Sequence, residues 1–245
     1  MTSERRDRTE RLLGYDACQT LAASSVLICG LGGVGGYALE ALARAGVGEL
    51  WLVDSDTVSE SNCNRQILAL TETVGRDKTE VAAERVRSIN PEARVHPIKC
   101  FIDGETAGEL LHRARPDYVI DAIDTVTAKL ALISEARELG IPIISSMGTG
   151  NKLDPSRFVI GDISKSAVCP LARVMRTELR RRGISGVTAL WSTEEPRRIV
   201  AEEANGRHSP ASVSYVPSVA GLLIGGHVIS ALVGTRNDDQ TERSS

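Results

Sequence analysis

No two of the five cysteines, Cys18, Cys29, Cys63, Cys100 and Cys169, form a C-x-x-C pair. A structural zinc clip of that kind is therefore not expected. The opening "MTSERRDRTER" has no apolar signal core. With the odd cysteine count, this points to free thiols in a reducing, cytoplasmic compartment. Strong charge bias is also missing. The formal net charge is −3, which argues against nucleic-acid binding by bulk electrostatics and leaves room only for a local basic patch. His96, His112, His208 and His227 show no ligand spacing, and no internal repeat is visible. At 245 residues and ordinary globular composition, one sizeable core is possible. One stretch lacks charge for about the length of a bilayer span, Val213 to Gly234. Pro217, Gly221, Gly225, Gly226 and His227 interrupt it, so it reads as a core helix, with surface association with a membrane left open.

What is present alternates between short apolar runs and helical periods. Strands are expected at Val26–Cys29, Glu49–Val53, Arg94–Ile98, Tyr118–Ala122 and Ile141–Ser145. Helices are expected at Val34–Ala45, Arg76–Ile89, Glu105–Ala114 and Thr127–Leu139. This order gives an α/β fold, a Rossmann-like doubly wound and mostly parallel sheet. After Gly148 the pattern changes to a C-terminal α/β extension. It has strands at Phe158–Ile163 and Val187–Trp191 around a basic helix, Leu171–Arg182. A charged loop, expected to be mobile, follows from Glu194 to Pro210. The expected domain is 1–235, with a nucleotide-binding part at 1–150 and the extension at 151–235, before a disordered tail at 236–245.

Gly30, Gly32, Gly33 and Gly35 form a glycine loop between the first strand and the first long helix. Backbone amides there can approach a phosphate, and a helix start favours negative charge. Asp54 falls where such folds hold ribose hydroxyls. NAD would need little more. Arg65 and Lys78, however, lie just beyond the acidic strand end, where cations can neutralise a triphosphate. Asn62 can add polar contacts. Asp124 stands past the carboxyl end of the fourth strand, where a carboxylate can hold Mg²⁺ against phosphates or simply cap the next helix.

The ordered set G-x-G-G-x-G, D-x-D (Asp54, Asp56), N-x-N-R-Q (Asn62 to Gln66), G-x-x-K and "AID" resembles the ubiquitin-activating-enzyme-like superfamily that includes ThiF, MoeB and HesA. The resemblance implies ATP and Mg²⁺ as cofactors and activation of a carboxylate. It gives Asp54 to ribose and Arg65 and Lys78 to phosphates, with Asp56, Asn62 and Gln66 lining the same site. Asp124 becomes the Mg-linked catalytic aspartate. It also implies a homodimer in which an N-terminal arginine reaches the partner's nucleotide. Arg8 is the best match and Arg11 the alternative.

Members that activate ubiquitin-like sulfur carriers usually carry two C-x-x-C pairs, which are missing here. "RTERLLG", "NRQILAL", "DISKSAVCPLARVMRTELRRRGI", "WSTEEPRR" and "SYVPSVAGLLIGGHVI" are instead similar to the TcdA branch, the tRNA threonylcarbamoyladenosine dehydratases. That resemblance implies a tRNA partner, which suits the shared face of Arg173, Arg176 and Arg180, extended by Arg181 and Arg182. A solvated helix is the plainer reading of the same charges. A sulfur-transfer or cysteine-desulfurase-type protein partner is a further expectation. Cys169, before Pro170, reads either as an activated thiol at a helix start or as a structural one. Some members carry a cysteine where this chain has "SPASVSY", so a thiol relay is not expected here. The competing activities are an adenylyltransferase for a sulfur carrier, an NAD-dependent oxidoreductase and an ATP-binding scaffold.

Overall fold

Apolar runs bounded by glycine or proline become the strands of a seven-stranded sheet. The computed structural model describes residues 4–197 and 210–234. The expected tail, His208 and most of the expected charged loop lie outside the described residues. The strands are β1 Ser25–Cys29, β2 Glu49–Val53, β3 Arg94–Ile98, β4 Tyr118–Asp121, β5 Ile143–Ser146, β6 Phe158–Asp162 and β7 Thr188–Ser192. Their order is β3-β2-β1-β4-β5-β7-β6. Every pairing is parallel except β6 with β7. The order reverses between β1 and β4, which creates a crevice beyond their carboxyl ends.

Helices cover both faces: α3 Gly35–Ala45, α4 Lys78–Ile89, α5 Gly104–Ala114, α6 Val126–Glu138, α7 Pro170–Arg181 and α8 Tyr215–Leu232. Strand alternation divides the core. Val26, Ile28, Leu50, Leu52 and Ile120 meet Leu39 and Leu42 of α3, Ala82 and Val86 of α4, and Ile224 and Val228 of α8. Leu27, Trp51, Val53 and Val119 face Leu111 of α5, Leu132 and Ile133 of α6, and Met175 and Leu179 of α7. Each such aliphatic side chain contributes about 1.5–3 kcal/mol on full burial.

The long apolar segment is α8, and its glycines explain its place. A Cβ on Gly221 would lie 2.2 Å from the Val34 carbonyl oxygen, and one on Gly225 2.6 Å from the Ala41 Cβ. Their absence lets α8 press onto α3, burying Ala220, Ile224 and Val228, while Leu222 and Leu223 stay exposed. The expectation of a core helix matches this placement.

Two helices precede the first expected element, and two expected boundaries move. The polar N-terminal stretch forms two helices, α1 Asp7–Leu13 and α2 Tyr15–Ala23. The second buries only Cys18 and Leu21, too few positions to print a helical period. The helix expected from Arg76 starts at Lys78, because Asp77 is extended and bridges to Thr57. The fifth strand starts at Ile143 rather than Ile141, since the Ile141 amide closes the end of α6 on the Ala136 carbonyl.

Candidate active site

The glycine loop turns where β1 ends. Gly30 has φ +89°, and a Cβ there would sit 2.6 Å from the Ala122 carbonyl oxygen. A Cβ on Gly35 would fall 1.8 Å from the Gly30 carbonyl oxygen, so only glycine permits this turn. Gly33 faces Pro217 of α8 and the stem of Arg65, and Gly32 faces the Gln66 amide. The first turn of α3 has no side-chain cap; its Gly36 and Tyr37 amides already donate to the Gly32 and Val34 carbonyls, at 3.0 and 3.1 Å, so an anion would be met by the loop amides before them.

The strand-end acids and the lysine meet beside this loop. The Leu31 amide donates to Asp54 Oδ2 at 2.6 Å, and the Asp56 amide donates to Asp54 Oδ1 at 2.9 Å. Each carboxylate oxygen keeps a second lone pair, enough to accept ribose hydroxyls. Lys78 is buried at the start of α4. Its Nζ lies 2.8 Å from Asp56 Oδ2 and 3.9 Å from Asp54 Oδ1. The bridge between Thr57 and Asp77 closes the intervening loop and brings Lys78 back to the strand end. On that loop Asn62 accepts the Ser59 amide at 3.1 Å through its side-chain oxygen. Arg65 donates to the Ser61 carbonyl at 3.0 Å and to Asn64 Oδ1 at 2.8 Å. Gln66 is buried, and its Oε1 has no partner among the described residues.

Asp124 stands exposed across the crevice, accepting from Thr125 Oγ1 at 3.3 Å. It does not cap α6; the N-cap is Thr125, with no side-chain cap bond. The structure therefore brings Gly30 to Gly35, Asp54, Asp56, Arg65, Gln66 and Lys78 together, with Asp124 at the end of the neighbouring strand. It does not bring Arg8. Arg5 donates to the Ile89 carbonyl at 3.2 Å, and Arg6 pairs with Glu92 at 2.8 Å, at the far ends of α3 and α4. Arg8 is exposed on α1 beside this opposite edge and cannot serve its own chain's loop. Arg11 pairs with Asp7 at 2.7 Å.

The basic helix needs correction. Arg176 is spent inside the protein, donating to the carbonyl and hydroxyl oxygens of Ser166. Arg181 and Arg182 both pair with Glu178, at 2.7 and 2.6 Å. Only Arg173 and Arg180 remain as exposed cations without such partners among the described residues. Cys169 is buried, so its structural reading holds. Burial pushes the Cys29 thiol well up, and Asp121, Cys100 and Asp54 add to the effect, so it is no nucleophile.

A buried trio was missed from sequence. Lys129 Nζ donates to Asp121 Oδ2 at 2.9 Å and to Ser145 Oγ at 3.2 Å; Ser145 Oγ donates to the same Asp121 oxygen at 2.6 Å. Asp121 Oδ1 accepts the Ile123 amide at 3.1 Å and so bends the turn that presents Asp124. The available signal was an acid ending an apolar strand and a lysine within an apolar stretch eight residues later.

Fold and site together define a nucleotide-binding α/β protein whose glycine loop, strand-end acids and buried lysine gather at a sheet switch point. The ThiF family model matches residues 5–244. The tRNA threonylcarbamoyladenosine dehydratase of Bacillus subtilis is 44% identical over 238 residues, covering 92% of this chain and 93% of that protein. The crystal structure of Escherichia coli TcdA, a tRNA N6-threonylcarbamoyladenosine dehydratase, in complex with ATP superposes with a TM-score of 0.85. It has 35% identity and covers 95% of both chains. The Escherichia coli molybdopterin-synthase adenylyltransferase is 39% identical, but over only 54% of this chain. This chain belongs to the ThiF family.

Proposed function

We propose that this chain is an ATP-dependent tRNA threonylcarbamoyladenosine dehydratase. The observation that carries the reading is the extent of similarity. The dehydratase of Bacillus subtilis aligns with 92% of the chain, whereas the adenylyltransferase match spans 54%. The substrate arm ends in a free carboxylate, which is a poor electrophile. Transfer of a phosphoryl or adenylyl group from ATP gives a mixed anhydride. A neighbouring atom of the carbamoyl arm then attacks the activated carbon and closes a ring. The former carboxylate oxygen leaves with the phosphate, for a net loss of water. The attack is intramolecular, so the enzyme mainly positions groups and stabilises phosphate charge.

In this reading the loop amides, Arg65 and Lys78 hold phosphates, Asp54 holds ribose, and Asp56, Asn62 and Gln66 complete the site. Gln66 Oε1, buried and without a partner among the described residues, can accept a hydroxyl or amino group of a bound nucleotide. Among the described residues no three His, Cys, Asp or Glu side chains converge on a metal site. Asp124 can hold Mg²⁺ only together with ATP oxygens, the usual mode for that ion. When bound, Mg²⁺ neutralises phosphate charge. Arg8 would reach the partner's nucleotide in a homodimer, and Arg173 and Arg180 would meet tRNA phosphates in the cytoplasm.

Mass spectrometry of nucleosides, after incubating tRNA that carries the threonylcarbamoyl group with protein, ATP and Mg²⁺, tests this. The expected product is lighter by one water. Its absence with folded, ATP-binding protein would overturn the reading. Asp124→Ala should lower turnover by at least about a hundredfold with the fold retained.

A further inference from the structure

Residues 210–214, which lead into α8, do more than connect. Asn151 adopts φ +59°, a conformation that asparagine tolerates better than most residues. Its amide donates to the Ala211 carbonyl at 2.7 Å, and its side-chain Oδ1 accepts the Ala211 amide at 2.8 Å. Ala211 is thus gripped from both sides. The next carbonyl, that of Ser212, accepts Asn64 Nδ2 at 3.1 Å. This bond fixes which way the Asn64 amide faces, so Asn64 Oδ1 must point to Arg65 Nη1, which it meets at 2.8 Å. Asn64 is exposed, so water competes for both of its bonds unless the Ser212 carbonyl is held in place. Two residues beyond Tyr215, Pro217 packs against Gly33 of the glycine loop, on the same side as the Arg65 stem.

We propose that Asn64 is a positioning residue for Arg65, and that Asn151 and the Ala211–Ser212 backbone set its orientation. The C-terminal extension thereby aims a phosphate-binding guanidinium that belongs to the nucleotide-binding part. The inference rests on the reading of Arg65 as a phosphate ligand. A guanidinium pre-aimed by a fixed acceptor loses less rotamer freedom when it meets a phosphate. Without Asn64, Arg65 Nη1 keeps the Ser61 carbonyl at 3.0 Å but loses its side-chain acceptor, and that part of the ordering cost falls on ATP binding.

A double-mutant cycle on the full chain, read by calorimetric titration with ATP, tests this. Asn64→Ala is expected to weaken ATP binding about tenfold in the wild-type background. In an Arg65→Ala background the same change should cost less than about twofold, because Asn64 acts through the side chain already removed. Asn151→Gly keeps the backbone conformation and removes only the side-chain grip, so a fall of about threefold is expected, again only while Arg65 is present. Equal losses in both backgrounds would reduce Asn64 to a structural role and overturn the proposal, as would unchanged affinity in Asn64→Ala. If the wild-type chain fails to bind ATP, the reading of the site falls with it. If it binds and the cycle is additive, the inference falls alone.

Discussion

Lys129 and Asp121 are both fully buried, and removing one should harm the protein more than removing both. At 2.9 Å and an effective dielectric constant of about 20, their attraction is about 6 kcal/mol. Taking two ions out of water costs several kcal/mol each, so the intact pair contributes little net stability. The Lys129→Met variant upsets that balance by leaving a buried carboxylate with Ser145 Oγ and the Ile123 amide as its only donors among the described residues. The expected loss is about 3–5 kcal/mol. For a chain of this size that corresponds to a fall in Tm of about 6–20 °C. Adding Asp121→Asn removes the second charge; its Oδ1 can still accept the Ile123 amide, while its Nδ2 donates to Ser145 Oγ. The double variant should recover to within about 1.5 kcal/mol of wild type. Urea unfolding followed by tryptophan fluorescence suits the measurement, since Trp51 and Trp191 are buried on opposite sides of the switch point. A Lys129→Met stability within about 1 kcal/mol of wild type, or a double variant no better than the single one, would refute the reasoning.

Gly35→Ala places a Cβ 1.8 Å from the Gly30 carbonyl oxygen, so the turn must open; titration calorimetry should show ATP binding lost, and retained binding would disprove the cradle. Burial raises the Glu40 carboxyl, but the bonds from Arg85 and Arg44 outweigh it and hold it below its ordinary value. Its contribution is therefore complete above the usual carboxylate range and is lost as pH falls through the lowered folded value, so unfolding midpoints of wild type and Glu40→Gln should differ at pH 7 and converge in acid. Mixing Arg8→Ala with Asp124→Ala protein tests the homodimer. Subunit exchange leaves one intact site in each mixed dimer and should restore about a quarter of wild-type turnover, whereas arginine acting within its own chain restores none.

The centre of the sheet was legible because both faces of β1, β2, β4 and β5 are buried. β1, β2 and β4 are continuous apolar runs, and glycine or proline marks their ends. The loop residues were legible because a phosphate cradle imposes glycine spacing. How Lys78 reaches Asp56 could not be read, since it depends on a single bridge, Thr57 to Asp77, that closes a long loop. Lys129 was hidden for another reason: in a helix, a lysine normally reads as a solvent-facing position, and only the acid on the facing strand reverses that. The same blindness worked in the other direction at α7. Arg176 has the spacing of an exposed basic face, yet its guanidinium turns inward to Ser166, a contact ten residues away that no periodicity encodes. The antiparallel edge strand β6 was likewise visible as a strand but not as a reversal of direction.

The charge around Lys78 explains why glycine spacing alone cannot name the ligand. Asp54 is locked by two backbone amides and is 9% exposed, whereas Asp56 is 65% exposed and free to be rehydrated. If Lys78 binds phosphate as proposed, an incoming phosphate would displace Asp56, not Asp54. Even so, one lysine between two carboxylates leaves the cluster with net negative charge, which repels a triphosphate more than it repels a pyrophosphate. Triphosphate binding at this strand end thus requires cations from outside the cluster. In the proposed reading, Arg65 supplies one such cation, from the loop that Ser212 touches through Asn64. Arg8 and an ion at Asp124 would add charge only from a second chain and from solution. On the proposed reading, the choice of ATP over a dinucleotide would be made by segments that lie outside the glycine loop.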